Sequence, residues 1–107
     1  MAFIILVMAY EAGALDATIS AAAGDDPVLF AELRAAFLDS LAGHIDLLTR
    51  ARCDGNWQIS AMRIKGLAAS FQVWPLLSLA QEALDSAPGE PVAIRKLQAF
   101  VAEFTAA

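Results

Sequence analysis

A chain of 107 residues with 59% hydrophobic residues and a mean hydropathy of +0.58 is sized for one domain, burying roughly 65% of its unfolded surface on folding. Its net charge of −5 and isoelectric point near 4.5 exclude the basic stripe that nucleic-acid backbones require and disfavour anionic membranes. One cysteine, Cys53, leaves no internal disulfide to form, which suits a reducing cytoplasm.

Much of the apolar content is alanine, the best helix former. Residues suited to strands are few after the first twenty, so an all-α chain is expected. The opening run from Met1 to Val7 is too short to span a bilayer, which takes about 20 residues. It also lacks a basic leader and a cleavage site, so a signal peptide is not expected. Met8 reads as the biological start, with the first seven residues an upstream extension; the domain proper is expected over 13–107, preceded by an N-terminal extension over 1–12.

The first helix is expected over about Gly13–Ala23. Gly24 closes it, Asp26 is a good N-cap, and Pro27 suits the first position of a second helix running to about Arg52. The apolar seam of that helix is Phe30, Leu33, Phe37, Leu41, His44, Leu48 and Ala51, spaced by threes and fours.

Asp54-Gly55-Asn56 reads as a turn, with Asn56 capping a third helix from Trp57 to about Phe71. Its seam is Trp57, Ala61, Ile64, Ala68 and Phe71. Pro75 opens a fourth helix ending near Ser86. Pro88-Gly89-Glu90-Pro91 separates it from a fifth, about Pro91–Thr105, with Val92, Ile94, Leu97, Phe100, Val101 and Phe104 inward. Short connections between long amphipathic helices predict antiparallel neighbours. The expected architecture is an up-and-down four-helix bundle with a short extra N-terminal helix.

With the third helix's seam facing the core, Gln58, Met62, Lys65, Ala69 and Gln72 fall on a stripe about 100° away. Gly66 borders it. Met62 is the one large apolar residue on that stripe. Glycine inside a helix costs roughly 1 kcal/mol relative to alanine, so Gly66 calls for a reason: either tight helix–helix packing or a close approach from outside.

Met62-Arg63-Ile64-Lys65-Gly66, continued by Ala68-Ala69-Ser70-Phe71, resembles the central helix of the histidine phosphotransfer domain, whose pattern is His-x-(Leu/Ile)-Lys-Gly. The similarity covers about residues 13–105. It includes Asp25-Asp26-Pro27, Glu32 to Asp39, the Gly55-Asn56-Trp57 turn and the Leu77 to Leu84 helix. In that family an exposed imidazole attacks the acyl phosphate of a receiver aspartate, a lysine one turn away offsets phosphoryl charge, and a glycine leaves room. By resemblance Lys65 and Gly66 match the last two positions, and Met62 stands at the phosphoacceptor.

A thioether has no titratable N–H and forms no stable bond to phosphorus, so the resemblance implies a protein that carries no phosphate there. Two other departures are Gln72, where the family commonly has glycine, and Trp74, where a small capping residue is usual. The implied role is non-enzymatic: a cytoplasmic monomer docking a receiver domain or a histidine kinase through Gln58, Met62, Lys65, Gly66 and Ala69. Methionine suits an adaptable binding surface.

Two alternatives stand beside it. His44, the only histidine, lies at a height on the second helix comparable to residues 62–64 and is an alternative phosphoacceptor, though its seam position suits a core-edge residue. Alternatively the chain is a helical self-association or adaptor module. Arg52 and Arg63 are candidates to steer an acidic partner. No metal-ligand spacing, phosphate loop or catalytic triad pattern is present, and no cofactor or metal is expected.

Overall fold

The computed structural model describes residues 2–106, with side chains described for residues 13–103 and Thr105. Five helices follow in order: α1 (Ala2–Ala23), α2 (Pro27–Arg50), α3 (Asp54–Ser70), α4 (Trp74–Leu84) and α5 (Pro91–Ala106). No strand occurs among the described residues, and the chain is all-α. None of these helices is long and apolar enough to cross a membrane.

The expected short first helix is a correction: α1 is 22 residues long. Between Ala2 and Ala23 there is no proline and one glycine, Gly13, so nothing breaks the helix where the apolar run meets the rest. Met1 and the side chains of residues 2–12, on which the reading of an upstream extension turns, lie outside the described residues. Leu15, Ile19 and Ala23 repeat every four residues and are buried, and the Arg34 Nε to Asp16 Oδ1 ion pair at 3.3 Å ties α1 to α2.

The α1–α2 junction follows the sequence expectation closely. Gly24 has φ +65°, a left-handed conformation that costs glycine little, and its N–H reaches the Ser20 carbonyl at 2.9 Å. Asp26 Oδ1 then accepts from Val28 N at 3.0 Å and Leu29 N at 3.1 Å, with Pro27 opening the helix. Two donors left orphaned by helix geometry are thereby satisfied.

Along α2 the fully buried positions are Phe37, Leu41, Ile45 and Leu48. Ile45, not His44, occupies the core seam. The reason is the 3.6-residue period: a step of four from Leu41 lands on Ile45, while His44 falls to the edge and is half-buried. Phe30 and Leu33 pack against the core from the side.

The end of α2 comes two residues before the expected Arg52, and α3 starts at Asp54, not Trp57. Cys53 holds the N-cap position without a side-chain hydrogen bond. Asn56 therefore lies within the first turn and not at the cap, and the Asp54 carboxylate faces the helix's positive end instead. Trp57, Ala61, Ile64 and Ala68 are all buried, with Phe71 half-buried against Phe37 at a ring separation of 4.8 Å.

The Trp57 Nε1 donates to the Ala83 carbonyl at 2.7 Å. That carbonyl, in the last turn of α4, also accepts from Ser86 N at 3.1 Å, and the indole closes the α3–α4 contact and satisfies its own N–H. In α4 the inward residues are Leu76, Ala80 and Ala83; in α5 they are Ala93, Leu97 and Phe100. Val92 is exposed, contrary to expectation, because the α5 seam begins one residue later at Ala93. The side chain of Phe104 lies outside the described residues.

Helix neighbours close a cycle in which α2 touches α3, α3 touches α4, α4 touches α5 and α5 touches α2, with α1 laid on α2 and α5. The core sits inside that cycle. Ala61 and Ala68 of α3 and Ala80 and Ala83 of α4 are fully buried in that core, together with the larger Phe37, Leu41, Ile45 and Leu48 of α2.

Candidate functional site: the outward flank of α3

Burial of Trp57, Ala61, Ile64 and Ala68 fixes the rotation of α3, and the rest of the helix follows. Gln58, Met62, Gly66 and Ala69 are exposed and Lys65 is half-buried. Met62 keeps 62% of its surface, the largest exposure of any residue on α3 with a big apolar side chain. Gly66, four residues on, lies on the same outward stripe, and Ile59 faces out beyond it towards the other flank of the helix.

Met62, Lys65, Gly66 and Ala69 line one side of an open depression of about 540 Å³, and Leu77, Gln81 and Leu84 of α4 line the other. Gln58 lies one turn away and does not line it. Lys65 Nζ donates to Gln81 Oε1 at 2.7 Å, and Gln81 Nε2 donates onward to Asp85 Oδ1 at 3.1 Å. The amide orients the ammonium without neutralising it. No carboxylate among the described residues forms an ion pair with Lys65.

A Cβ built on Gly66 meets nothing within 4 Å. Tight packing between helices therefore does not explain this glycine. Its bare side faces open space at the rim of the depression.

Other sequence candidates are placed differently. His44 is half-buried on α2 and does not line the depression. Arg52 donates to the carbonyls of Thr49 at 3.3 Å and Ala51 at 3.4 Å, serving the unsatisfied end of α2. Gln72 has φ +59°, so the position where the resemblance expects glycine does adopt the backbone that favours it. Around it Val73 N reaches Ala68 O at 2.9 Å and Gln72 N reaches Ala69 O at 3.2 Å, a Schellman ending that needs the left-handed residue. Among the described residues no three His, Cys, Asp or Glu side chains gather into a metal-binding group.

Gln81, Leu77 and Leu84 escaped the sequence reading. Their place opposite Lys65 depends on the register between α3 and α4, which helical periodicity alone does not reveal. Ile59 also escaped, although its position opposite the seam marked it as an apolar residue facing out. The depression thus sets apolar walls beside one ammonium that no carboxylate of the described residues neutralises.

No family model, no curated protein and no solved structure matches the chain. The class of the molecule is thus defined by its own features: an all-α protein with a polar-rimmed apolar depression on one helix flank.

Proposed function

We propose that the protein is a phosphotransfer-like docking protein of two-component signalling that carries no phosphate. It binds a receiver domain, or a histidine kinase, in the cytoplasm through Gln58, Met62, Lys65, Gly66 and Ala69. In this reading α2 to α5 form an antiparallel up-and-down bundle and α1 is an added helix. The closed cycle of helix contacts, with no contact along either diagonal among the described residues, supports that arrangement.

The observation that carries the proposal is the gathering of Met62, Lys65 and Gly66 on one depression. These are the three positions the phosphotransfer resemblance singles out, and they share an exposed flank. A partner's acidic pocket would meet the Lys65 ammonium, and its backbone or side chains would rest over Gly66. Met62 replaces a covalent encounter with a packing contact. Binding of this kind is transient, with an interface of about 1,200 Å² or less.

The test is recovery of phosphorylation-competent receiver domains by the immobilised protein, comparing wild type with Lys65→Glu. Recovery by wild type and loss in the variant supports the docking face, whereas equal recovery by both removes it. Met62→His, incubated with a phosphorylated receiver, is expected to acquire acid-labile phosphate. Label on the wild-type protein that vanished with His44→Ala would replace this reading with active transfer.

A further inference from the structure

On the opposite flank of α3, we propose, the groove shared with the end of α2 docks an amphipathic acidic helix of a partner protein. One carboxylate of that helix rests on Arg63 and Ser60, and an aliphatic side chain beside it sits between Leu47 and Ile59. The inference goes beyond the signalling reading and stands without it.

The groove has a volume of about 410 Å³ and is lined by Leu47, Arg50, Asn56, Ile59, Ser60 and Arg63, with Ala51 between the helices. Leu47 keeps 49% of its surface and Ile59 50%, so each helix contributes one half-exposed aliphatic wall. Neither is needed by the core, whose seams run through Leu48 and Ala61 instead.

The polar groups are unequally engaged. Arg50 is held by Asp46, whose hydrogen bond and charge keep its guanidinium proton more firmly than usual. Arg63 has no ion pair or hydrogen bond among the described residues. Ser60 is 6% exposed, and its hydroxyl has no hydrogen-bond partner among the described residues, yet it is not sealed from solvent. A nearly buried hydroxyl that still reaches solvent does so through the groove it lines. A free guanidinium and a free hydroxyl together make a carboxylate site.

The aliphatic walls select the occupant. A free small anion gains nothing from Leu47 and Ile59. A phosphate backbone has no aliphatic side chain to set between Leu47 and Ile59, and a flat anionic membrane does not enter a groove between two helices. A helix presenting a carboxylate and an aliphatic side chain three or four residues apart uses all four groups at once.

The experiment is an amide chemical-shift titration of the 107-residue protein with a synthetic helical peptide of about 15 residues bearing glutamate and leucine four apart on one face. Shifts at Leu47, Ile59, Ser60 and Arg63 are expected. Affinity should fall about fivefold with Arg63→Glu and about tenfold with Leu47→Ser or Ile59→Ser. Ser60→Ala should weaken it with little change in melting temperature, and added salt should weaken it further. Lys65→Glu, on the other flank, should leave it within about twofold.

Several results would overturn the proposal: no shifts at millimolar peptide, shifts centred on Met62 and Lys65, or indifference to Arg63→Glu. Equal shifts from glutarate alone would mean a small-anion site, and the same shifts on concentrating the protein without peptide would mean a second copy. Either replaces the helix as occupant.

Discussion

The inward and outward faces of α3 use similar residue types for opposite ends. Inward, Trp57, Ala61, Ile64 and Ala68 are sealed, and the indole N–H is matched to a carbonyl of α4. Outward, Ile59 and Met62 are at least half exposed, and Gly66 presents bare backbone. Apolar groups that water has left stabilise the fold; apolar groups that still face water contribute nothing to it until something covers them. The helix is thus at once a core element and an unpartnered surface.

The comparison is broken most forcefully from the inside. Trp57→Ala is expected to lose about 3–5 kcal/mol of stability, chiefly through the cavity left where the ring stood. Chemical denaturation reads this as a lower midpoint with an unchanged slope. A loss under about 1 kcal/mol would mean that the seam is not where the burial puts it.

At the end of the same helix the expectation reverses. Gln72→Gly should stabilise the protein by about 1 kcal/mol, because a left-handed backbone strains a side chain and not glycine. The measurement is again the denaturation midpoint. A destabilised variant would mean that the Gln72 side chain makes up for the strain by some other contact.

Gly66→Ala sharpens the outward half. With open space where the Cβ would go, the substitution should raise stability by about 0.5–1 kcal/mol through helix propensity alone. If the bare backbone serves docking, recovery of receiver domains should fall at the same time. A destabilised Gly66→Ala would restore helix packing as the reason for the glycine.

The smallest change in folding is expected from Met62→Glu, within about 0.5 kcal/mol of wild type. Its effect belongs to binding, with weaker capture of a receiver through lost packing and added negative charge beside Lys65. If stability and binding moved together at Met62 as they should at Trp57, the two faces would not be functionally distinct.

Legibility in the sequence differed between these faces. The α3 seam, the Asp26 cap, the Gly24 stop and the helix count were all readable, because each depends on spacing or on one residue's own conformational preference. Exposure of Met62 followed from the seam. The boundaries near residues 51–57 did not, since Asn56 and Asp54 are both plausible at a helix start and only the packed ends of α2 and α3 select between them. His44 was misplaced by one residue, the error a run of alternating threes and fours allows.

Periodicity and punctuation by themselves determined that this protein is helical, how many helices it has after the first, and which way α3 faces. Only the tertiary structure decided what stands opposite each exposed residue. Gln81 meets Lys65, Ser60 opens into a groove beside Arg63, and α1 continues unbroken back to Ala2. The reason is physical: a helix's own repeat is set by local hydrogen bonds and steric preferences. The register between two helices is set by how their side chains interlock, which depends on both sequences and all the helices around them.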